Sequence, residues 1–419
     1  MLRSTFRSLR HPVYRRYFFG QTVSIVGYWL QQLALSWLVY RLTRSPVMLG
    51  AVAFAGAIPM LVVSPFAGVV VDRVDRRTAV MVTQGTQMLQ AFALAALTFT
   101  GTIRAEFVPF LAMIYGVAWA FDIPVRQSLL PVMLGGRDDL PNAIALGSMM
   151  MNLGRFVGPV IAGGLLAWVG EGWCFLLNGV SFLAVMAALA RLPAMPPAGP
   201  PPRWQSQMAE GFSWVWNFLP ARLLIANLAL MSATVPGYQS LMPIFAAEVY
   251  AGDARVQGLL VSCAGGGALA ATAVLAARHS VRGLVRVVMG ATLVAGVALV
   301  VFATVRSLPI ACVALAVVGA GITLCASGTN TVLQSVADDA HRGRVVSIYT
   351  MSFLGVAPVS SLAVGVLARH VGAPVALAGC GAACVAVAGV SMLGYPRVRA
   401  ALVPVYRRLG IIPPAPPPE

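Results

Sequence analysis

Apolar runs of about 20 residues or more, broken by short loops that carry arginine, repeat along the whole chain and decide which solvent it can fold in. About twelve can be counted, at residues 17–40, 46–71, 78–101, 106–131, 141–168, 172–190, 222–247, 255–277, 283–305, 308–334, 344–369 and 373–395. A helix of about 20 apolar residues crosses the hydrocarbon core, and it satisfies its own backbone groups where no water is present. The 419 residues are 59% hydrophobic and 10% charged, against roughly a quarter charged in a soluble protein. A globule in water needs more polar skin than that. The expected fold class is an all-α integral membrane protein with 12 transmembrane helices. The first run, from about Tyr17, has no small-residue cleavage site and is expected to remain as a helix.

All 29 basic residues are Arg. The absence of Lys removes a P-loop lysine, a Schiff-base lysine and a lysine general base together. A net charge of +16 raises the question of nucleic acid, but the arginines sit in loops between apolar runs and read as membrane topology. With the N-terminus inside, 22 of them fall on the cytoplasmic side and six on the other. Both termini are then cytoplasmic, as an even number of crossings requires. The six Cys all lie inside apolar runs, and Cys380 and Cys384, one turn apart, have no His or acid beside them. They read as small buried residues, with no metal and no cofactor expected.

The stretch Arg191 to Phe212, RLPAMPPAGPPPRWQSQMAEGF, holds too much Pro to continue a helix and reads as a semi-rigid linker. The expected organisation is a six-helix bundle at 1–190, a cytoplasmic linker at 191–221, a second six-helix bundle at 222–396 and a cytoplasmic tail at 397–419. The halves echo each other: GRFVGPVIAGGLLAWVG in span five is similar to LGVAPVSSLAVGVLARHVG in span eleven. A parallel repeat of six-helix halves is one large transporter plan.

Between spans two and three the chain reads G-x-x-x-D-R-x-x-R-R, here Gly68, Asp72, Arg73, Arg76 and Arg77. With the two halves and the central linker, this resembles the major facilitator superfamily. The stretches WLVYRLTRSP, AFDIPVRQ, NAIAL, NLGRFVGP, CFLLN and RGRVVSIY, spread over nearly the whole chain, are similar to its enterobactin-exporter-like branch, the transmembrane secretion effectors. The resemblance implies a major facilitator fold that opens alternately to each side of a bacterial cytoplasmic (inner) membrane. It also implies a monomer exporting drugs, macrolides or siderophores in exchange for protons.

Asp72 follows the C-terminal end of span two, where the helix dipole disfavours a carboxylate, so it calls for a positive partner. The resemblance implies that this partner is the start of span eleven, near Arg344 to Ser347. It implies further that Arg76 or Arg77 pairs with an acid in span four. Asp122 supplies that acid, inside an apolar run where an unpaired carboxylate costs at least about 2.5 kcal/mol. The expected gate cluster is Asp122 with Arg76, Arg77 and Arg126; a local ion pair with Arg126 alone, one turn away, is the alternative. Asp75 has no comparable reason for a partner and reads as solvated.

Arg155 lies roughly 20 Å into span five. It reads either as a contact for an anionic substrate or gate, or as a charge satisfied by amides such as Asn152 or Asn178. Around it lie Asn152, Gly154, Gly158, Pro159, Gly163 and Gly164; Gly154, Gly158, Pro159 and Gly163 are similar to a G-x-x-x-G-P-x-x-G-G pattern that in the superfamily marks antiporters, although Ala162 replaces one glycine. Small residues at this spacing also let helices pack closely in any membrane protein. The resemblance puts the cavity between spans one, four, seven and ten. There Gln21, Trp29, Gln32, Tyr115, Trp119, Asn227, Gln239, Asn330 and Gln334 are the candidate lining, with helix-to-helix contact as the competing role. Such walls suit a bulky amphipathic small molecule.

Span one has no acid, and the second half's counterpart of the gate motif, AARHSVRG, has no Asp. Proton coupling is therefore not visible as a site unless Asp122 carries it. An enzyme would need a catalytic constellation, but His11, His279, His341 and His370 lie at loops or helix ends. The readings carried forward are a proton-coupled exporter and, as alternatives, an importer of the same superfamily or a non-transporting scaffold.

Overall fold

The computed structural model describes residues 6–71, 73–136, 138–190, 212–278 and 280–409. Its long helices are α1 (Pro12–Thr43), α2 (Pro46–Val71), α3 (Arg76–Phe99), α4 (Phe107–Met133), α5 (Leu140–Val169), α6 (Glu171–Leu189), α7 (Leu219–Thr234), α8 (Ala254–Ala276), α9 (Leu284–Thr304), α10 (Leu308–Val336), α11 (Asp339–Leu354), α12 (Ala357–Val371) and α13 (Ala373–Arg408). No strand occurs among the described residues. Among the described residues, ten segments are long and apolar enough to cross a membrane. The two expected spans that fall short are α1 and α3, which have the length, 32 and 24 residues, but carry amides and hydroxyls.

Prolines explain where the elements depart from the uniform spans of the sequence. Span eleven is two helices, because Pro358 in the first turn of α12 offers no N–H and its ring crowds the carbonyl four residues back. Beyond Pro236, α7 gives way to a 3-10 stretch (Pro236–Leu241) and a π-helical turn (Phe245–Val249). The expected tail from 397 is instead helical as far as Arg408, with Pro396 and Pro404 inside α13. Asp75 is not simply solvated: it caps α3, accepting from the Thr78 amide at 2.7 Å and its hydroxyl at 2.8 Å.

Contacts divide the chain into two compact units, Met1–Pro202 with Ser240–Gly265, and Arg203–Gln239 with Gly266–Glu419. A division at the linker alone was expected. The segment Ser240–Gly265 joins the first unit: Gln257 donates to Ser36 at 2.7 Å and Tyr40 to Glu248 at 2.9 Å. Residues 191–211 of the linker lie outside the described residues.

Small residues let the helices of the first unit close on one another. Gly116 of α4 meets the Gly56 backbone of α2, where a methyl group would overlap the carbonyl oxygen. Gly20 of α1 meets the Ala184 carbonyl of α6. In the second unit Gly296 of α9 and Gly381 of α13 pack against each other's backbone. The outer faces stay apolar: Trp168, Val390 and Leu393 are 81%, 71% and 82% exposed, which suits a surface solvated by lipid.

The chain ahead of α1 is tied to the start of α5. Ser8 donates through its amide and hydroxyl to Asn142 at 2.9 and 2.8 Å, and buried Tyr14 to the Ala143 carbonyl at 3.0 Å. Asp139 bonds His11 at 2.8 Å and pairs with Arg7. The bond with His11, helped by Arg7, holds the Asp139 carboxyl below its ordinary value.

Two outcomes are expected. Gly116→Val should lower the melting temperature of the purified protein, corresponding to about 1–3 kcal/mol of overpacking; an unchanged transition would remove the close α2–α4 crossing. Because folding depresses the Asp139 pKa, the contribution of its contacts is fully present above the ordinary carboxylate value of about 3.9 and is lost as pH falls below that, through the lower value of the folded state. A spin label on Arg10→Cys should therefore gain mobility below about pH 4, and Asp139→Asn should be mobile at every pH. A label equally ordered in both proteins at neutral pH would show that Asp139 does not hold this segment.

Candidate functional site

The charge centre of the first unit is built on α4. Asp122 is 1% exposed. One turn on, Arg126 places Nε and Nη2 on its Oδ2, the i,i+4 geometry expected of a local pair. The other oxygen, Oδ1, accepts from the Thr83 hydroxyl at 2.9 Å and the Gln84 amide at 2.7 Å, both on α3. Arg126 reaches on through Nη1 to Gln21 Oε1 on α1, with the buried Tyr17 hydroxyl alongside. A carboxylate that would be costly alone is thus surrounded by donors from two helices.

Arg76 and Arg77 do not join it. Arg77 donates instead to the Ala190 carbonyl at 2.6 Å, and no hydrogen bond links either residue to Asp122. This corrects the expected four-residue gate: Arg126, fixed on the same helix, reaches Asp122 at lower conformational cost than arginines at the start of α3. Arg73 is exposed in the turn after α2, whose last turn contains Gly68. Asp72, and with it the latch to the start of span eleven, lies outside the described residues.

Beside the ion pair stands an aromatic stack. Trp119 lies over Tyr28 and Tyr115 with ring centroids 5.6 and 5.9 Å apart, and Tyr28 and Tyr115 are 6.5 Å apart. The Arg126 guanidinium is 6.0 Å from the Trp119 ring centre, within cation–π range. Gln32 donates to the Tyr28 hydroxyl at 3.4 Å. Trp29 meets Tyr28 edge-on at 5.3 Å, and its indole lies against Gly158 of α5. Its neighbour Ile25 fills the space over Gly154.

The helix-five motif has two faces. Gly154 and Gly158 receive α1, while the Pro159 carbonyl and Gly163 lie against Gly258 and Ala254 of α8. Asn152 is half-buried on the same helix. Arg155 is exposed, within electrostatic reach of Tyr28, and makes no hydrogen bond among the described residues. The Asn178 amide, a candidate partner for it, goes to Gln31 at 2.8 Å.

The candidate lining of the second unit divides in the same way. Asn227 is a correction: at 1% exposure it ties four helices, donating to Thr292 at 3.0 Å and Cys325 at 3.5 Å and accepting from Ser391 at 3.0 Å. Gln239 is exposed and 3.5 Å from the Tyr238 hydroxyl. Gln334 donates to Asn330 at 2.9 Å along α10.

Sequence reasoning missed Tyr28 as part of the stack, and it missed a buried row of amides on α3. Gln84, Gln87 and Gln90 are 0%, 0% and 3% exposed. Gln90 accepts from Gln31 at 2.9 Å, which joins the row to Asn178 on α6. Three glutamines at three-residue spacing in QGTQMLQ were the available signal. The same residues lower the hydropathy of α1 and α3.

Known proteins resemble the chain over most of its length. A family model described as transmembrane secretion effector matches residues 3–404. The chain is similar to the staphyloferrin A transporter of Staphylococcus aureus, 26% identical over 84% of this chain and 89% of the relative. The multidrug efflux pump Tap of Mycolicibacterium fortuitum is 28% identical over 81% and 85%, and the enterobactin exporter EntS of Citrobacter koseri 25% over 81% of each. Among solved structures, a POT family transporter in complex with a thioalcohol conjugated peptide superposes with a TM-score of 0.71 at 13% identity, over 92% and 96% of the two chains. The nucleoside transporter NupG does so at 0.68 and 12%, over 93% and 99%. At such identities these two show the fold alone. The chain belongs to the transmembrane secretion effector family of the major facilitator superfamily, and is a transporter rather than an enzyme.

Proposed function

We propose that the protein exports a bulky amphipathic small molecule (a drug, macrolide or siderophore) from the bacterial cytoplasm in exchange for protons, as a monomer with both termini cytoplasmic. The observation that carries this reading is the Asp122–Arg126 pair, one member buried among donors and the other facing Trp119. A proton on Asp122 cancels its charge and frees the Arg126 guanidinium, whose remaining partners are Gln21 and the aromatic stack. Deprotonation draws it back. Substrate and proton then act on one pair of charges, as exchange requires. The stack of Tyr28, Tyr115 and Trp119 offers flat apolar surface with hydroxyl and indole edges, which suits a large ring system better than a sugar or an ion. Three relatives named for siderophore transport, drug efflux and enterobactin export support the same class of cargo.

Everted membrane vesicles with an acidic interior test this directly, with erythromycin and enterobactin as probes. Uphill accumulation that an uncoupler abolishes is expected; uptake indifferent to the uncoupler would overturn proton exchange. Asp122→Asn should abolish uphill accumulation while leaving downhill exchange. Arg126→Lys should lower it roughly tenfold or more, since a hydrogen bond to a charged group contributes about 1.5–3 kcal/mol and Lys cannot reproduce the fork. Full activity in both variants would remove the pair from the mechanism.

A further inference from the structure

A cleft of about 570 Å³ runs between the end of α2, α3 and α4, from Val70 and Val74 beside the turn that opens α3 to Phe110 on α4. The wall supplied by α4, from Phe110 to Val125, amounts to about 22 Å of helix rise. The cleft opens on the surface of the unit, where Val82, Phe110 and Met113 are exposed. Its walls are apolar except for Thr78, Thr83 and Thr86, and those hydroxyls are already engaged: Thr78 donates to Asp75 at 2.8 Å, Thr83 to Asp122 at 2.9 Å and Thr86 to the Val82 carbonyl at 2.9 Å. A cavity with no free polar partner does not hold water, and on the face of a membrane bundle the solvent that fills it is hydrocarbon. At the Val74 end the cleft is flanked by Arg73 and Arg76. Neither forms an ion pair among the described residues, and Arg76 Nε is buried with no hydrogen-bond partner there. Of their described neighbours, Asp75 caps α3 and Arg77 reaches the Ala190 carbonyl.

We infer that this cleft binds an anionic glycerophospholipid of the bilayer, with one acyl chain along α4 and the phosphate held by Arg73 and Arg76. An acyl chain fills half of the hydrocarbon core, about 15 Å, and the cleft is long enough to take it. Arginines at the edge of a span attract anionic headgroups, and the guanidinium fork matches the oxygens of a phosphate. An apolar cleft alone would accept any chain; the two free cations at its end are what select the headgroup. The bound chain lies against Thr83, whose hydroxyl also holds Asp122. The lipid thereby braces one of the donors that keep the carboxylate in place. That consequence rests on the reading of Asp122 as proton carrier; the lipid site does not.

The full chain in nanodiscs tests this with a phosphatidylglycerol that carries a photoreactive diazirine on one acyl chain. Irradiation should label the stretches of α3 and α4 that line the cleft, and unlabelled phosphatidylglycerol should compete about tenfold better than phosphatidylcholine with the same chains. Arg73→Gln combined with Arg76→Gln should erase that preference. Val82→Trp, which fills the cleft from an exposed position, should remove the labelling at an unchanged melting temperature. Equal competition by the two lipids in the wild type, or a preference that survives loss of both arginines, would overturn the site whatever happens in Val82→Trp. The brace on Asp122 predicts slower proton exchange in Val82→Trp as well. Labelling lost there with exchange at the wild-type rate would overturn the brace and leave the site. Selective labelling in a protein whose Asp122→Asn variant still exchanges protons would overturn the carrier reading alone.

Discussion

A carboxylate placed in the apolar core of a membrane bundle must be answered by donors, and the first unit is arranged around that demand. Asp122 takes Arg126 on one oxygen and Thr83 with Gln84 on the other. Each partner then brings its own need: Arg126 engages Gln21, and the amides of α3 engage those of α1 and α6. Helices α1, α3, α4 and α6 are thereby held by directional bonds. In lipid these matter because apolar side chains gain little by facing one another rather than the hydrocarbon. The glycine contacts bring the backbones close, and the polar bonds fix which faces meet.

The same demand bears on the work proposed for the pair. In the proposed exchange the pair has two states, ionised and paired or neutral and released, and Arg126, 6.0 Å from the Trp119 ring centre, would carry the difference to the aromatic stack. No other acid is buried among the described residues, so a proton carried inside the first bundle has one candidate site there. Coupling by competition for a shared charge needs no long pathway, because proton acceptor, guanidinium and ring face lie within two turns of α4.

Much of this was legible in the sequence, for reasons that also mark where reading stops. Hydrocarbon thickness sets span length, so twelve crossings follow from counting, and an acid within an apolar run singles out Asp122. Its partner was legible too, since Arg126 at i+4 stands in the expected cluster and alone in the alternative; what the family pattern added, Arg76 and Arg77, does not reach Asp122. Asp75 followed by Thr78 is a helix-start signal that was passed over. Asn227 was misplaced because a helix apolar on every side does not show which face is inward. The Gln84–Gln87–Gln90 row escaped because each amide was weighed singly, whereas its meaning lies in Gln31 and Asn178, brought in from distant parts of the chain by α1 and α6. Span eleven broke at Pro358, a residue visible in the sequence whose effect depended on its falling within the first turn of a new helix.

The central claim, that proton and substrate act on one pair of charges, is tested most directly by proton release on binding. With the purified protein in weakly buffered medium and a pH indicator, adding enterobactin or erythromycin should release protons from the wild type and none from Asp122→Asn that still binds. Equal release from both proteins, or binding by the wild type with no release at any pH, would contradict it.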